Sequence, residues 1–141
     1  MKYIDANVFL YYILNPETDA KRLQAKKILT EVANGSVPAA TCLLTWDEIV
    51  WAVRRLLSLE TAKSEGAKFL EFPNLRLLEV KRNILSTAQE AVEKHHLNPR
   101  DAIHAACCLE NGIDEIITDD ADFRNIDGLA RITLEDAAKS M

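Results

Sequence analysis

The first ten residues, MKYIDANVFL, set the apolar pair Tyr3 and Ile4 ahead of Asp5 and Asn7. The chain then runs straight into Val8-Phe9-Leu10-Tyr11-Tyr12-Ile13-Leu14. This pattern predicts a short buried strand with Asp5 at its end, followed at once by a helix. Asn15-Pro16 breaks the chain, and Thr18 is placed to cap a second helix. Ala25, Ile28, Leu29 and Val32 recur there at i, i+3, i+4 and i+7, and Gly35 closes it. Val37 to Cys42 is a short apolar run that predicts a second strand. Leu43 to Leu57 carries Trp46, Ile49, Val50, Val53, Leu56 and Leu57 at helical spacing.

Leu59 to Phe72 continues as another helix on Ala62, Gly66, Phe69 and Leu70, stopped at Pro73. Leu75 to Val80 predicts a third strand. Ile84, Ala88, Ala91, Val92 and His95 mark the next helix, ended by Asn98-Pro99, and Pro99 opens a further one that runs to Asn111-Gly112. Ile113 to Thr118 predicts a fourth strand and Ala130 to Thr133 a short edge strand. Thr133 and Asp136 form a capping-box-like start to a last helix, Leu134 to Lys139. Strands alternating with helices imply an α/β fold: a three-layer α/β/α sandwich around a mainly parallel sheet of four to five strands.

Composition narrows the picture. At 141 residues and 48% hydrophobic, the chain is expected to form one domain, residues 1–141, with a full core. Its four glycines and four prolines are scattered as punctuation, with no repeat or linker. No apolar run approaches the roughly 20 residues that span a bilayer, and no basic segment precedes a signal core, so no membrane partner and a cytoplasmic location are expected. Cys42, Cys107 and Cys108 form no C-x-x-C pair and read as small core residues. A net charge of −5 argues against a protein that coats itself in nucleic acid. It leaves open an enzyme that grips a phosphodiester through cations held by carboxylates.

The carboxylates supply that possibility. An unpaired buried carboxylate is costly, or shifts its pKa until it neutralises, so Asp5 between apolar blocks calls for an explanation. It could simply favour the N-terminus of the helix it opens. In a parallel α/β sheet, however, ligands bind outside the carboxyl ends of the strands. Asp5 ends the first strand, and Asp119, Asp120 and Asp122 follow Ile116-Ile117-Thr118. Asp101 sits in the first turn of a helix that rises roughly 20 Å before a short turn sends the chain back along the fourth strand. Asp101 and the Asp119–Asp122 group therefore meet at one edge. Glu48, in the second turn of the helix after the second strand, belongs near that edge too. Asp47 competes with it, and spacing does not decide between them. Clustered carboxylates repel one another unless a cation is present. Hard oxygen ligands at this density suit Mg²⁺ or Mn²⁺, whose natural chemistry is activation of water against a phosphate ester.

D-A-N-V-F at the start, Glu48 in the middle helix, R-D-A-I-H-A at Arg100 to Ala105 and I-T-D-D-A-D-F at Ile117 to Phe123 resemble, in order, the PIN domain. They most resemble its single-domain members, the VapC-type toxin ribonucleases. The resemblance implies a homodimer, Mg²⁺-dependent cleavage of single-stranded RNA and, in the toxin branch, inhibition by a cognate antitoxin. It also implies metal-site acids at Asp5, Glu48, Asp101, Asp120 and Asp122, supported by Asn7 and Thr118. It selects Glu48 over Asp47 and favours Asp120 over Asp119 as the inward residue.

Arg100 flanks the acidic mouth as the first candidate for a phosphate contact, and His104, one turn after Asp101, is a second substrate-side candidate, though helix packing is the simpler role. Adjacent His95 and His96 point apart and make a poor metal pair. Trp46 and Trp51 are expected in the core or a dimer contact. The basic pairs Lys21-Arg22, Lys26-Lys27, Arg54-Arg55 and Lys81-Arg82 read as solvated faces that could guide RNA. Two other functions compete. A haloacid dehalogenase-type phosphatase also carries an Asp after its first strand, but needs an acid two residues on, where this chain has Asn7. A PIN-like scaffold that only binds RNA or protein would have no need of the acids.

Overall fold

A computed structural model describes residues 1–141. Five strands form one sheet: β1 (Lys2–Ile4), β2 (Ala39–Cys42), β3 (Leu75–Leu78), β4 (Glu115–Ile117) and β5 (Ala130–Ile132). Their spatial order is β3-β2-β1-β4-β5, and every neighbouring pair is parallel. Seven helices surround them: α1 (Ala6–Leu14), α2 (Ala20–Ala33), α3 (Leu44–Leu56), α4 (Leu59–Leu70), α5 (Arg82–His95), α6 (Pro99–Glu110) and α7 (Leu134–Ser140). No helix is long and apolar enough to cross a membrane.

Alternation along the strands builds two cores. Tyr3, Cys42 and Ile116 point to the face covered by α5 and α6. Ile4, Ala39 and Ile117 point to the face covered by α1, α2, α3, α4 and α7. The three inner strands β2, β1 and β4 are thus largely buried on both sides, as parallel strands require, while the edge strands β3 and β5 are partly exposed. The expected three-layer sandwich is present, with all five strands parallel.

The strands are shorter than their apolar runs, because Val37-Pro38, Glu79-Val80, Ile113-Asp114 and Thr118 pass into the connecting segments. The cap of α2 is Asp19, whose carboxylate accepts from the Lys21 and Arg22 amides; the expected cap, Thr18, lies one residue too early. Thr133 does cap α7, accepting from the Asp136 amide. Pro99 is the first residue of α6, whose cap residue, Asn98, makes no side-chain bond.

The chain winds from β1 out through β2 to β3, then crosses to β4 on the other side of β1. The strand order therefore reverses between β1 and β4, which is where an open α/β sheet forms its crevice. Tyr3 pairs with Ile116 and Ile4 with Ile117, so Asp5 and Thr118 leave the sheet side by side.

Candidate metal centre

Thr118 joins the two strand ends. Its hydroxyl donates to Asp5 Oδ2 at 2.7 Å and accepts from the Asp120 amide and from Asn7 Nδ2, both at 3.0 Å. A hydroxyl has one proton and two lone pairs, so this side chain is saturated. The arrangement also orients Asn7. Because the Thr118 proton goes to Asp5, Asn7 must present its NH₂, which leaves Asn7 Oδ1 buried with no hydrogen-bond partner.

Asp5 caps the helix it opens and also lines the cleft at the sheet edge. One oxygen, Oδ1, accepts from the Ala6 amide at 2.8 Å as the cap of α1, while Oδ2 is held by Thr118. Only 6% of the residue is exposed. Burial raises its pKa, opposed by the nearby His104 imidazole and the Thr118 hydroxyl and reinforced by Glu48.

Glu48 enters from α3. The turn between β2 and α3 is tied by a buried hydroxyl pair, Thr41 Oγ1 to Thr45 Oγ1 at 2.7 Å, which places Glu48 one turn further in. Its Oε2 lies 2.7 Å from His104 Nε2, and the same nitrogen stands 3.7 Å from Asp5 Oδ1. Asp47 instead faces outward beside Arg100, at 3.4 Å, with both side chains about half exposed. Of the two neighbours, Glu48 reaches the cleft.

His104 is fully buried, so it offers no surface to a substrate, and the expectation of a substrate contact there is corrected. The reason is its place on the sheet-facing side of α6, with Tyr3 Oη 2.6 Å from Nδ1. The imidazole braces Glu48 and Asp5 instead. Burial pulls its pKa down, but the Cys42 thiol and the Glu48 and Asp5 carboxylates outweigh this and raise it well above the usual value. Tyr3 Oη in turn accepts from the Cys42 amide at 3.0 Å.

The remaining acids complete the mouth. Asp101, Asp120 and Asp122 bring carboxylate oxygens within 4.8 Å of one another. Asp5, Glu48, Asp101 and Asp120 line a single cleft of about 230 Å³, together with Asn7, Trp51 and Arg100. The crowding registers on Asp101. Burial, followed by the charges of Asp120 and Asp5, pushes its carboxyl from 3.8 up to about 6.

Asp119 turns away. Its carboxylate accepts from the Leu134 amide at the start of α7 at 3.0 Å and pairs with Lys21 at 2.5 Å. Arg131 on β5 donates to the carbonyls of Asp119 and Asp120, at 2.7 and 2.8 Å. Asp119 thus anchors the turn, and Asp120 projects from it. Lys21, read from the sequence as part of a solvated basic pair, instead holds Asp119. Arg131 was not singled out from the sequence, since an isolated basic residue on an edge strand gives no signal. The same holds for Tyr3, which reads as an ordinary core residue.

This donor set fits a hard divalent cation. Its ligands are carboxylates, they repel one another without a cation, and the orphaned Asn7 oxygen adds a neutral acceptor beside them.

A PIN domain family model matches residues 2–129, and the chain belongs to that family. Similar solved structures agree on the fold. The sarcin-ricin-loop-cleaving toxin VapC20 of Mycobacterium tuberculosis superposes with a TM-score of 0.72 at 19% identity, covering 87% of this chain and 92% of that one. VapBC2 of Rickettsia felis, bound to a promoter DNA fragment, gives 0.70 at 18%, over 94% and 98%. VapBC-1 of nontypeable Haemophilus influenzae gives 0.67 at 18%, over 96% and 99%. No curated protein matches the chain.

Two stability tests follow from this geometry. Because Asp101 holds its proton more tightly when folded, its ionisation destabilises the folded state increasingly as pH rises from about 3.8 through about 6. Without metal, Asp101→Asn should match wild type near pH 3.5 and become the more stable protein by pH 7.5 in urea titrations. A variant less stable than wild type at pH 7.5 would mark Asp101 as a helix-terminus anion and nothing more. Tyr3→Phe should cost about 1–3 kcal/mol in the same assay, since it strands the buried Cys42 amide and leaves His104 Nδ1 only the Cys42 sulfur at 3.6 Å. An unchanged midpoint would mean that the hydroxyl does not support the site.

Proposed function

We propose that this chain is a Mg²⁺- or Mn²⁺-dependent endoribonuclease acting on single-stranded RNA, and the toxin of a toxin–antitoxin pair. The single observation that carries the reading is the convergence of Asp5, Glu48, Asp101 and Asp120 on one cleft at the strand-order reversal. Family membership and the likeness to VapC structures support it.

Asp5, Asp101, Asp120, Asp122 and Glu48 are the residues that would hold the cation. When bound, it supplies positive charge that lowers the pKa of a water and offsets charge building on the phosphate in the transition state. The protein's own part is to hold five acids at close range. Thr118 locks Asp5 and the Asp120 amide, while His104 keeps Glu48 aimed into the cleft and screens it from Asp5. Arg100, half exposed at the rim, is placed to neutralise a phosphate that enters above the acids. Asn7, where a phosphatase of the haloacid dehalogenase type would need an acid, is a hydrogen-bonding amide and cannot deliver a proton.

The chain is further proposed to act in the cytoplasm as a homodimer restrained by an antitoxin. Its three free cysteines fit a reducing compartment. Leu56, Leu57, Leu59 and Leu70, all exposed around the α3–α4 turn and the end of α4, suit a protein-covered surface.

Purified wild type should cleave a single-stranded RNA with Mg²⁺ or Mn²⁺ and stop when the metal is chelated. Asp5→Asn and Asp101→Asn should each lower the rate by at least about 100-fold while keeping the fold, in line with loss of a precisely held charged group. Near-wild-type cleavage by either variant would overturn the assignment. Light scattering at micromolar concentration should give twice the monomer mass; a monomer alone would remove the dimer.

A further inference from the structure

Of the two places expected for Trp51, the core or a dimer contact, the core does not hold it. It is 51% exposed, one helical turn beyond Glu48, and it lines the same cleft as the acids. Two guanidinium groups attend its ring. Arg55 lies 4.5 Å from the ring centroid and Arg100 lies 5.7 Å from it. Arg100 has one other tie, the long 3.4 Å contact with half-exposed Asp47. The cleft therefore has an acidic floor and a rim of Trp51 and Arg100, with Arg55 against the indole.

Floor and rim favour opposite charges. Carboxylates repel a polyanion, so nothing in the floor explains a half-exposed tryptophan. An aromatic face flanked by arginines is the combination that takes an unpaired base together with its phosphates: the ring stacks on the base whatever its identity, and the guanidinium meets the backbone. A duplex hides its base faces inside the stack, so such a rim serves unstacked nucleotides.

We propose that Trp51, backed by Arg55, is the stacking platform for a nucleobase next to the scissile phosphate, with Arg100 on the adjoining phosphate, and that this rim makes the enzyme selective for single-stranded RNA. The proposal rests on the ribonuclease reading but is tested by binding, without catalysis. Trp46, the other indole, sits against Gly66 of α4 away from the cleft. In a Trp46→Phe background, fluorescence therefore reports Trp51 alone.

Two probes are titrated with chelator present: a ten-residue single-stranded RNA, and an oligomer of the same length with abasic ribose phosphates. The intact strand should quench Trp51 and bind more tightly than the abasic one. Trp51→Ala should weaken binding of the intact strand roughly 5- to 150-fold, the range expected for one stacked base, and leave the abasic strand unchanged. Trp51→Phe should retain most of the preference, and circular dichroism should show all variants folded. If Trp51→Ala still prefers the intact strand as wild type does, the platform is refuted. It is equally refuted if RNA binding holds while the variant changes its mass in light scattering, which would make Trp51 a protein contact. Failure of the nuclease reading would look different: no cleavage by wild type with Mg²⁺ or Mn²⁺, whatever the binding data.

Discussion

One hydroxyl holds this site together. Thr118 spends its only proton on Asp5 and both lone pairs on Asn7 and the Asp120 amide. Two segments distant in sequence, Asp5–Asn7 and Thr118–Asp120, are thereby fixed at the ends of two adjacent parallel strands. The β1–β4 register makes this possible, because Ile4 opposite Ile117 leaves Asp5 and Thr118 as the first residues past the sheet. A slip of one residue would turn Asp5 toward a hydrophobic layer, since side chains alternate with period two.

Around that hydroxyl, charge is kept in order by position. Buried His104 stands between Asp5 and Glu48, lessening their repulsion from below. Asp119 is drawn outward by Lys21 and the start of α7, and Arg131 holds the carbonyls of the turn, so Asp120 and Asp122 turn toward Asp101. What remains uncompensated is the mouth itself. Burial, with the neighbouring Asp120 and Asp5 charges, raises the pKa of Asp101, and Asn7 keeps an unpaired buried oxygen. Both are features that a cation would relieve.

Much of this was legible in the sequence, for physical reasons. Apolar spacing located the helices, and alternation of strands with helices required a parallel sheet. The pairing of Pro99 with the Asn111-Gly112 turn placed Asp101 beside the Asp119–Asp122 group. Other features were beyond reach. Thr18 and Asp19 are both good caps one residue apart, and only the path of the chain chooses Asp19. Spacing alone could not choose Asp120 over Asp119, which the resemblance favoured; the choice depends on Lys21, from a helix far away in sequence, and on Arg131 of the edge strand. For His104, helical spacing left both a substrate contact and the simpler helix packing open, and only the structure shows that it faces the sheet. For Trp51 the sequence offered the core or a dimer contact, and only the structure shows that it lies outside the core and beside the cleft.

The central claim is that these acids form a cation site and not a set of helix and turn caps. The most direct measurement is the thermal melt of wild type and Asp101→Asn at pH 7.5, first with chelator and then with Mn²⁺. Wild type should gain stability with Mn²⁺, by about 2.7 kcal/mol at a hundredfold excess over its dissociation constant. The variant should lose most of that gain. A wild-type melt indifferent to Mn²⁺, with a variant that melts lower than wild type in chelator, would contradict the account.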